Sequence, residues 1–163
     1  MTMTTQRPSR AALTAALAGT LTAGLMLPAA ANAADPAGNN GTVKIDAQPF
    51  DTHPNNEPHT GCRFQVDFYG YDEGALSAKV TFTAQPPTGR GILLTDEVFI
   101  GEDAAGGGTD LDAQRTYNLT RALARYQPSA QGYHVKLTVN AEGSQGADVK
   151  HKVFWVQRCA SYY

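Results

Sequence analysis

Positive charge is scarce in this chain. Its 163 residues hold 13 Lys and Arg against 15 Asp and Glu. Two of those bases, Arg7 and Arg10, fall in the first ten residues, which contain no acid. From Ala34 onward eleven bases oppose fifteen acids, a net charge of −4. A basic stripe for a phosphate backbone or an anionic membrane is therefore missing, which argues against nucleic acid and a charged bilayer as partners. Long apolar runs are equally scarce: after residue 27 none approaches the roughly 20 residues a spanning helix needs. Internal repeats and low-complexity tracts are absent. Cysteine is limited to Cys62 and Cys159, and tryptophan to Trp155.

The one uncharged apolar run, AALTAALAGTLTAGLML (residues 11–27), follows Arg7 and Arg10 and is broken by Pro28. Small residues then stand at the end of ANA (Ala31, Asn32, Ala33). A basic n-region, an apolar h-region and a small-residue cleavage site describe a secretory signal peptide over 1–33. The expected mature protein starts at Ala34 and is secreted to the extracellular space. No cysteine follows the cleavage site to accept a lipid, and no LPxTG pattern appears downstream. In an oxidising compartment an even pair of cysteines reads as a disulfide, Cys62–Cys159, in preference to a thiol nucleophile or a metal pair.

Residues 34–41 (ADPAGNNG) read as a flexible tail, and 42–160 as one domain. Within it the periodicity is two. GTVKID (41–46) is a short first strand. CRFQVDFYG (62–70) sets Cys62, Phe64, Val66 and Phe68 on one face, with Arg63, Gln65 and Asp67 on the other. ALSAKVTFTA (75–84) turns Leu76, Ala78, Val80 and Phe82 inward. GILLTDEVFIG (91–101) alternates less regularly and reads as one strand or as two around Thr95 and Asp96. RTYNLT (115–120) is a fifth strand, and RALARYQP offers a turn or two of helix closed by Pro128. GYHVKLTVN (132–140) turns Tyr133, Val135, Leu137 and Val139 inward. In VKHKVFWVQRC (149–159), Val153, Trp155 and Cys159 share one face, with Phe154 and Val156 on the other. Seven short strands, with room for one short helix, predict an all-β, seven-stranded antiparallel sandwich.

The stretch LTRALARYQPSAQGYHVKLTV (119–139) resembles the passage between the fifth and sixth strands of immunoglobulin-like and fibronectin-type-III-like domains. There a Leu closes one strand and a Tyr opens a strongly alternating next one. The chain from Ala34 onward also resembles small, uncharacterised secreted proteins of actinobacteria. The resemblance implies an immunoglobulin-like sandwich and brings no activity with it. One departure stands out: immunoglobulin domains bridge the second and sixth strands, whereas Cys159 ends the seventh.

Alternating strand directions bring the start of the second strand and the end of the seventh to the same end of such a sandwich, as the disulfide requires. The opposite end then collects GYDEG (70–74), GEDAAGGGTDLDAQ (101–114) and AEGSQGAD (141–148). These carry Asp72, Glu73, Glu102, Asp103, Asp110, Asp112, Glu142 and Asp148 and no Lys or Arg. Eight carboxylates with flanking glycines are raw material for calcium, which takes six to eight oxygens. No EF-hand spacing or tandem nonapeptide accompanies them, and the glycines lack the Lys and Ser/Thr of a phosphate loop. His53 and His59, in one Pro- and Asn-rich loop, form a sparser alternative site for Cu²⁺ or Zn²⁺, two ligands where three or four are needed. No nucleophile turn of the G-x-S-x-G kind is present. Carboxylate pairs for glycoside chemistry are too easily drawn from the acidic end to point anywhere. The expected function is a non-catalytic extracellular binding or structural module, recognising a protein or glycan through an acidic end that calcium organises. The alternatives are a small secreted hydrolase using the loop carboxylates, or an extracellular metal-binding protein using His53 and His59.

Overall fold

The computed structural model describes residues 41–52, 55–102, 110–141 and 148–159. The expected leader (1–33) and tail residues 34–40 lie outside them, as do His53, Asp103 and Glu142. Among the described residues no helix is long and apolar enough to cross a membrane.

Among the described residues eight strands form: β1 (Thr42–Asp46), β2 (His59–Thr60), β3 (Arg63–Tyr69), β4 (Ser77–Ala84), β5 (Gly91–Phe99), β6 (Leu111–Asn118), β7 (Tyr133–Ala141) and β8 (Val149–Val156). One helical turn, α1 (Thr120–Leu123), lies between β6 and β7. The strands make two sheets, β1-β3-β6 and β2-β8-β7-β4-β5. All pairings are antiparallel except β2 with β8. The two-residue β2 had no signal of its own, because its pairing is made by a loop passing the outer edge of β8.

Period-two alternation explains the layering. Phe64, Val66 and Phe68 of β3 meet Val80 and Phe82 of β4, Val135, Leu137 and Val139 of β7, and Phe154 and Val156 of β8 in one buried cluster. Phe64 lies edge-on to Phe82 and to Phe154, with ring centroids 5.5 and 5.2 Å apart. Tyr117 of β6 meets Phe82 at 4.8 Å. Leu119 and Leu123, flanking and ending α1, close the core beside Cys62.

Two details differ from the expected strands, and β5 decides one that the sequence left open. β5 is continuous through Thr95 and Asp96, with a register shift opposite Phe82 and Thr83. Its weak alternation follows from its place as the last strand of its sheet, where much of it faces water. β6 starts at Leu111, four residues before the expected RTYNLT, because β3 templates the ladder back to Leu111 opposite Tyr69. On β8 the buried residues are Phe154 and Val156, while Val153 is exposed and Trp155 is half-buried on the outward face, stacked on His134 at 4.4 Å.

The disulfide joins Cys62, just before β3, to Cys159, after β8, 97 positions apart in sequence. Neighbouring hydrogen bonds hold the same end: Leu119 N–H donates to Cys62 O and Gln157 N–H to Thr60 O. Gly132 also sits here, at φ +105°, and a side chain on it would collide with the Val156 carbonyl. Cross-linking a chain over about 100 residues stabilises a fold by up to about 4–5 kcal/mol through the unfolded state. Replacing both cysteines by Ser is expected to cost about 2–5 kcal/mol, read as a lower midpoint in urea unfolding with circular dichroism.

Candidate functional site

The described ends of the three acidic loops lie at one end of the sheets. The ladder pairs Ser77, opening β4, with Phe99 at the end of β5, and Ala78 with Ala141 at the end of β7. The turn 70–76 is bound directly to the segment 100–112. Gly74 N–H donates to Gly101 O at 3.1 Å, Gly70 N–H to Asp110 O at 3.0 Å, and Ile100 N–H to Leu76 O at 3.0 Å. Gly101 is required here, because a Cβ on it would fall on the Gly74 carbonyl oxygen. From the third loop, Asp148 O accepts from Ala141 N–H at 3.0 Å.

The acids themselves have separate roles. Asp72, Glu73, Glu102, Asp110 and Asp148 keep at least partial exposure. Asp112 is different: it belongs to β6 rather than to the loop, is buried, and its Oδ2 accepts the Tyr71 N–H at 3.0 Å. That bond fixes the turn after β3, whose Tyr71 ring is wholly buried against Phe68. Burial and then the Asp112 charge push the Tyr71 hydroxyl well above its ordinary pKa. Among the described residues no three His, Cys, Asp or Glu side chains converge as a metal-holding group. Asp103 and Glu142 lie outside that statement. Of the histidine pair, only His59 is described. It sits exposed in β2 opposite Trp155, bordering a cleft with Gln131, Gln157 and Arg158.

The outward face of β1-β3-β6 carries polar residues that sequence reasoning passed over. β3 is buried on both faces, so Gln65, Asp67 and Tyr69 are as enclosed as the core residues between them. Asp46, on β1, is buried beside them. Gln65 Nε2 donates to Asp67 Oδ1 at 2.8 Å, and Asp51 N–H donates to Asp46 Oδ2 at 3.1 Å. Burial pushes Asp67 above the usual carboxylate range, opposed by Gln65, Gln114 and Lys44. Burial likewise pushes Asp46 up to about 6, opposed by the Asp51 N–H and reinforced by the charges of Asp67, Glu57 and Asp51. Alternation marks these side chains as outward and therefore solvated. The available hint was that acids and a tyrosine recur at one parity on two strands, at Asp46, Asp67 and Tyr69.

A third feature is a groove of about 550 Å³ between the terminal strands β5 and β6. Arg115 crosses it to Asp96, Nε to Oδ2 at 3.0 Å, and the Tyr117 hydroxyl donates to the same oxygen at 3.3 Å. This ties the two sheets at an otherwise open side.

Comparison with protein-family models, with curated protein sequences and with solved structures finds no match to this chain.

The pH dependence of Asp46 follows from its position. Its folded carboxyl keeps a proton up to about pH 6, whereas an unfolded one releases it near 3.8. Between those values the folded state binds more protons, so this group's contribution to stability falls as pH rises and is constant above about 6. Asp46→Asn is expected to melt higher than the parent at pH 7. The difference should shrink as pH drops from about 6 to about 4, as measured by calorimetry across that range.

Proposed function

We propose that the chain is a secreted, non-catalytic binding module on an immunoglobulin-like sandwich, meeting its partner through the acidic loop end. The observation that carries this reading is the gathering of the turn 70–76, residues 100–102 and 110–112, and Ala141 with Asp148 at one end of the β-structure, away from the disulfide. Loops held at one end of a rigid sandwich are a recurrent way of presenting a recognition surface. Among the described residues, seven strands of five or more residues accompany the two-residue β2, which supports the reading without fixing it. The partition differs from that of constant immunoglobulin domains, because the fourth of the seven, β5, pairs with the third, β4, and not with the fifth.

Secretion rests on Arg7, Arg10, the apolar run 11–27 and the small residues up to Ala33. Protein recovered from the medium of the native cell is expected to begin at Ala34 by amino-terminal sequencing. A chain that keeps its first 33 residues and stays with the cells would defeat this part of the reading.

An acidic recognition surface has a salt signature, because exposed charges are screened beyond about 8–10 Å at ordinary ionic strength. The partner is expected to be a basic extracellular protein or a glycan carrying positive groups. Bait carrying Asp72→Asn, Glu73→Gln and Glu102→Gln together is expected to lose the component that the parent captures from native medium. Capture by the parent should weaken as salt is raised. Equal capture by both baits overturns the assignment of the surface. Running the parent in EDTA and again in Ca²⁺ tests whether calcium organises the end: capture indifferent to both removes the ion.

A further inference from the structure

β5 is the last strand of the five-stranded sheet, and its free edge carries a definite set of bonding groups. Rungs of an antiparallel ladder alternate between hydrogen-bonded and unbonded pairs. Ile100 N–H donates to Leu76 O. Counting from that pair, the bonded rungs are Ala78–Val98 and Val80–Asp96. The rungs between them leave Thr95, Glu97 and Phe99 with N–H and C=O directed away from β4. Nearer the start of the strand the edge is closed, because Arg125 and Tyr126 donate to the Ile92 and Arg90 carbonyls. The stretch Thr95–Phe99 has no such cover: among the described residues nothing bonds its outward backbone groups.

The side chains of this stretch say what fits beside it. Thr95 and Glu97 are exposed, and Phe99 is 55% exposed, a large apolar surface for a strand end. Glu97 stands opposite Lys79 in the ladder, yet among the described residues the one ion pair within 4.0 Å is Arg115 with Asp96. The Glu97 charge therefore has no close base. On the inner side the groove between β5 and β6 passes Leu94 and Thr95 and leaves room for added side chains. Beyond Phe99 the chain enters the acidic end, where Gly101 is bound to Gly74. Glu102 follows on one side of that contact, and Asp72 and Glu73 precede it on the other. A second copy of β5 is a poor occupant. Antiparallel self-pairing of Thr95–Phe99 centres on Glu97 and sets like charges opposite each other. Sliding the register back meets Arg125 and Tyr126.

We propose that the Thr95–Phe99 edge takes up an extended basic segment of a partner protein as an added strand. In strand addition the main-chain bonds supply affinity and alternate side chains supply selectivity. A Lys or Arg opposite Glu97 gains a charge pair, and an apolar neighbour covers Phe99. The segment then continues towards the acidic end, where further bases meet Glu102, Asp72 and Glu73. The proposal rests on the acidic-end reading for the sign of the partner's charge. It selects a protein over a glycan, because a glycan has no alternating N–H and C=O to match an edge.

The test is titration of the purified, disulfide-bonded protein with short capped peptides, followed by NMR. One peptide alternates lysine and valine. A second has glutamate for each lysine, and a third is the lysine peptide with every backbone nitrogen methylated. The lysine peptide is expected to bind, to bind less as salt is raised, and to slow amide exchange at Thr95, Glu97 and Phe99. The glutamate and methylated peptides should bind at least about tenfold more weakly. Glu97→Pro removes an outward donor and leaves the bonded rungs to β4 in place, so it should keep the fold and lose the lysine peptide. If that variant unfolds, Glu97→Lys carries the test: it keeps the donor and should reverse the preference, taking the glutamate peptide over the lysine one. Absence of lysine-peptide binding, slowed exchange at Gln114, Thr116 and Asn118 on β6 instead, or equal binding of the methylated form overturns the proposal. Bait comparisons in native medium separate it from the acidic-end reading. Capture lost with Glu97→Pro but kept with the combined Asp72, Glu73 and Glu102 changes removes the acidic end alone. Capture kept with Glu97→Pro but lost with the combined changes removes the added strand alone.

Discussion

A few interlocked rings hold the two sheets together, and the remaining features depend on their staying so. Phe64 belongs to the three-stranded sheet, and its edge-to-face partners Phe82 and Phe154 belong to the five-stranded one. Tyr117 repeats the crossing from the next strand. Such pairs contribute about 0.5–1.5 kcal/mol beyond their buried area, and they also fix which faces meet. Once Phe64 points inward, period two commits Gln65 and Asp67 to the opposite side. The polar outward face is thus a direct consequence of the aromatic core.

The open sides of the sheets are managed by side chains. β5 and β6 end their respective sheets, and long unpaired edges invite pairing with other chains. Arg125 donates to the Ile92 carbonyl and Tyr126 to the Arg90 carbonyl, which occupies two acceptors at the start of β5. Further along, Arg115 and Tyr117 converge on Asp96. The passage through α1 therefore does more than connect β6 to β7. It supplies the groups that shield an edge, which helps explain why a helix of one turn, with no side-chain cap, keeps its place.

Much of the architecture was legible because alternation is a strong signal where one face is buried. β4 and β7 follow their sequence pattern residue for residue. The disulfide could be read from the single cysteine pair, and the expected chain directions agreed with it. The sequence was less informative where burial did not alternate. β3 is covered on both sides and β5 is largely uncovered, so neither pattern tells its true surroundings. In β8 the large side chains Val153 and Trp155 suggested an inner face, but Trp155 is satisfied by stacking on His134. For the acidic end, counting loop carboxylates overlooked a division of labour. Asp112 is a buried strut for the Tyr71 turn, whereas Asp72, Glu73 and Glu102 face solvent at least in part. Side-chain partners of that kind have no signature in spacing.

The disulfide also decides how the domain carries tension. A pull applied between Gly41 and Cys159 passes from Cys159 through the sulfur bridge to Cys62 and bypasses all the sequence that separates them, 97 positions apart. Only β1, β2 and the chain between them remain in the load path. β1 runs from the acidic end towards the bridge, its Thr42 beside Tyr69 and its Asp46 beside Gln65. Drawing Gly41 away from Cys62 therefore loads the β1–β3 hydrogen bonds lengthwise and together, in shear, instead of opening them one after another. Under force the chain can lengthen only by the short run from Gly41 to Cys62, because the bridge spans everything behind it.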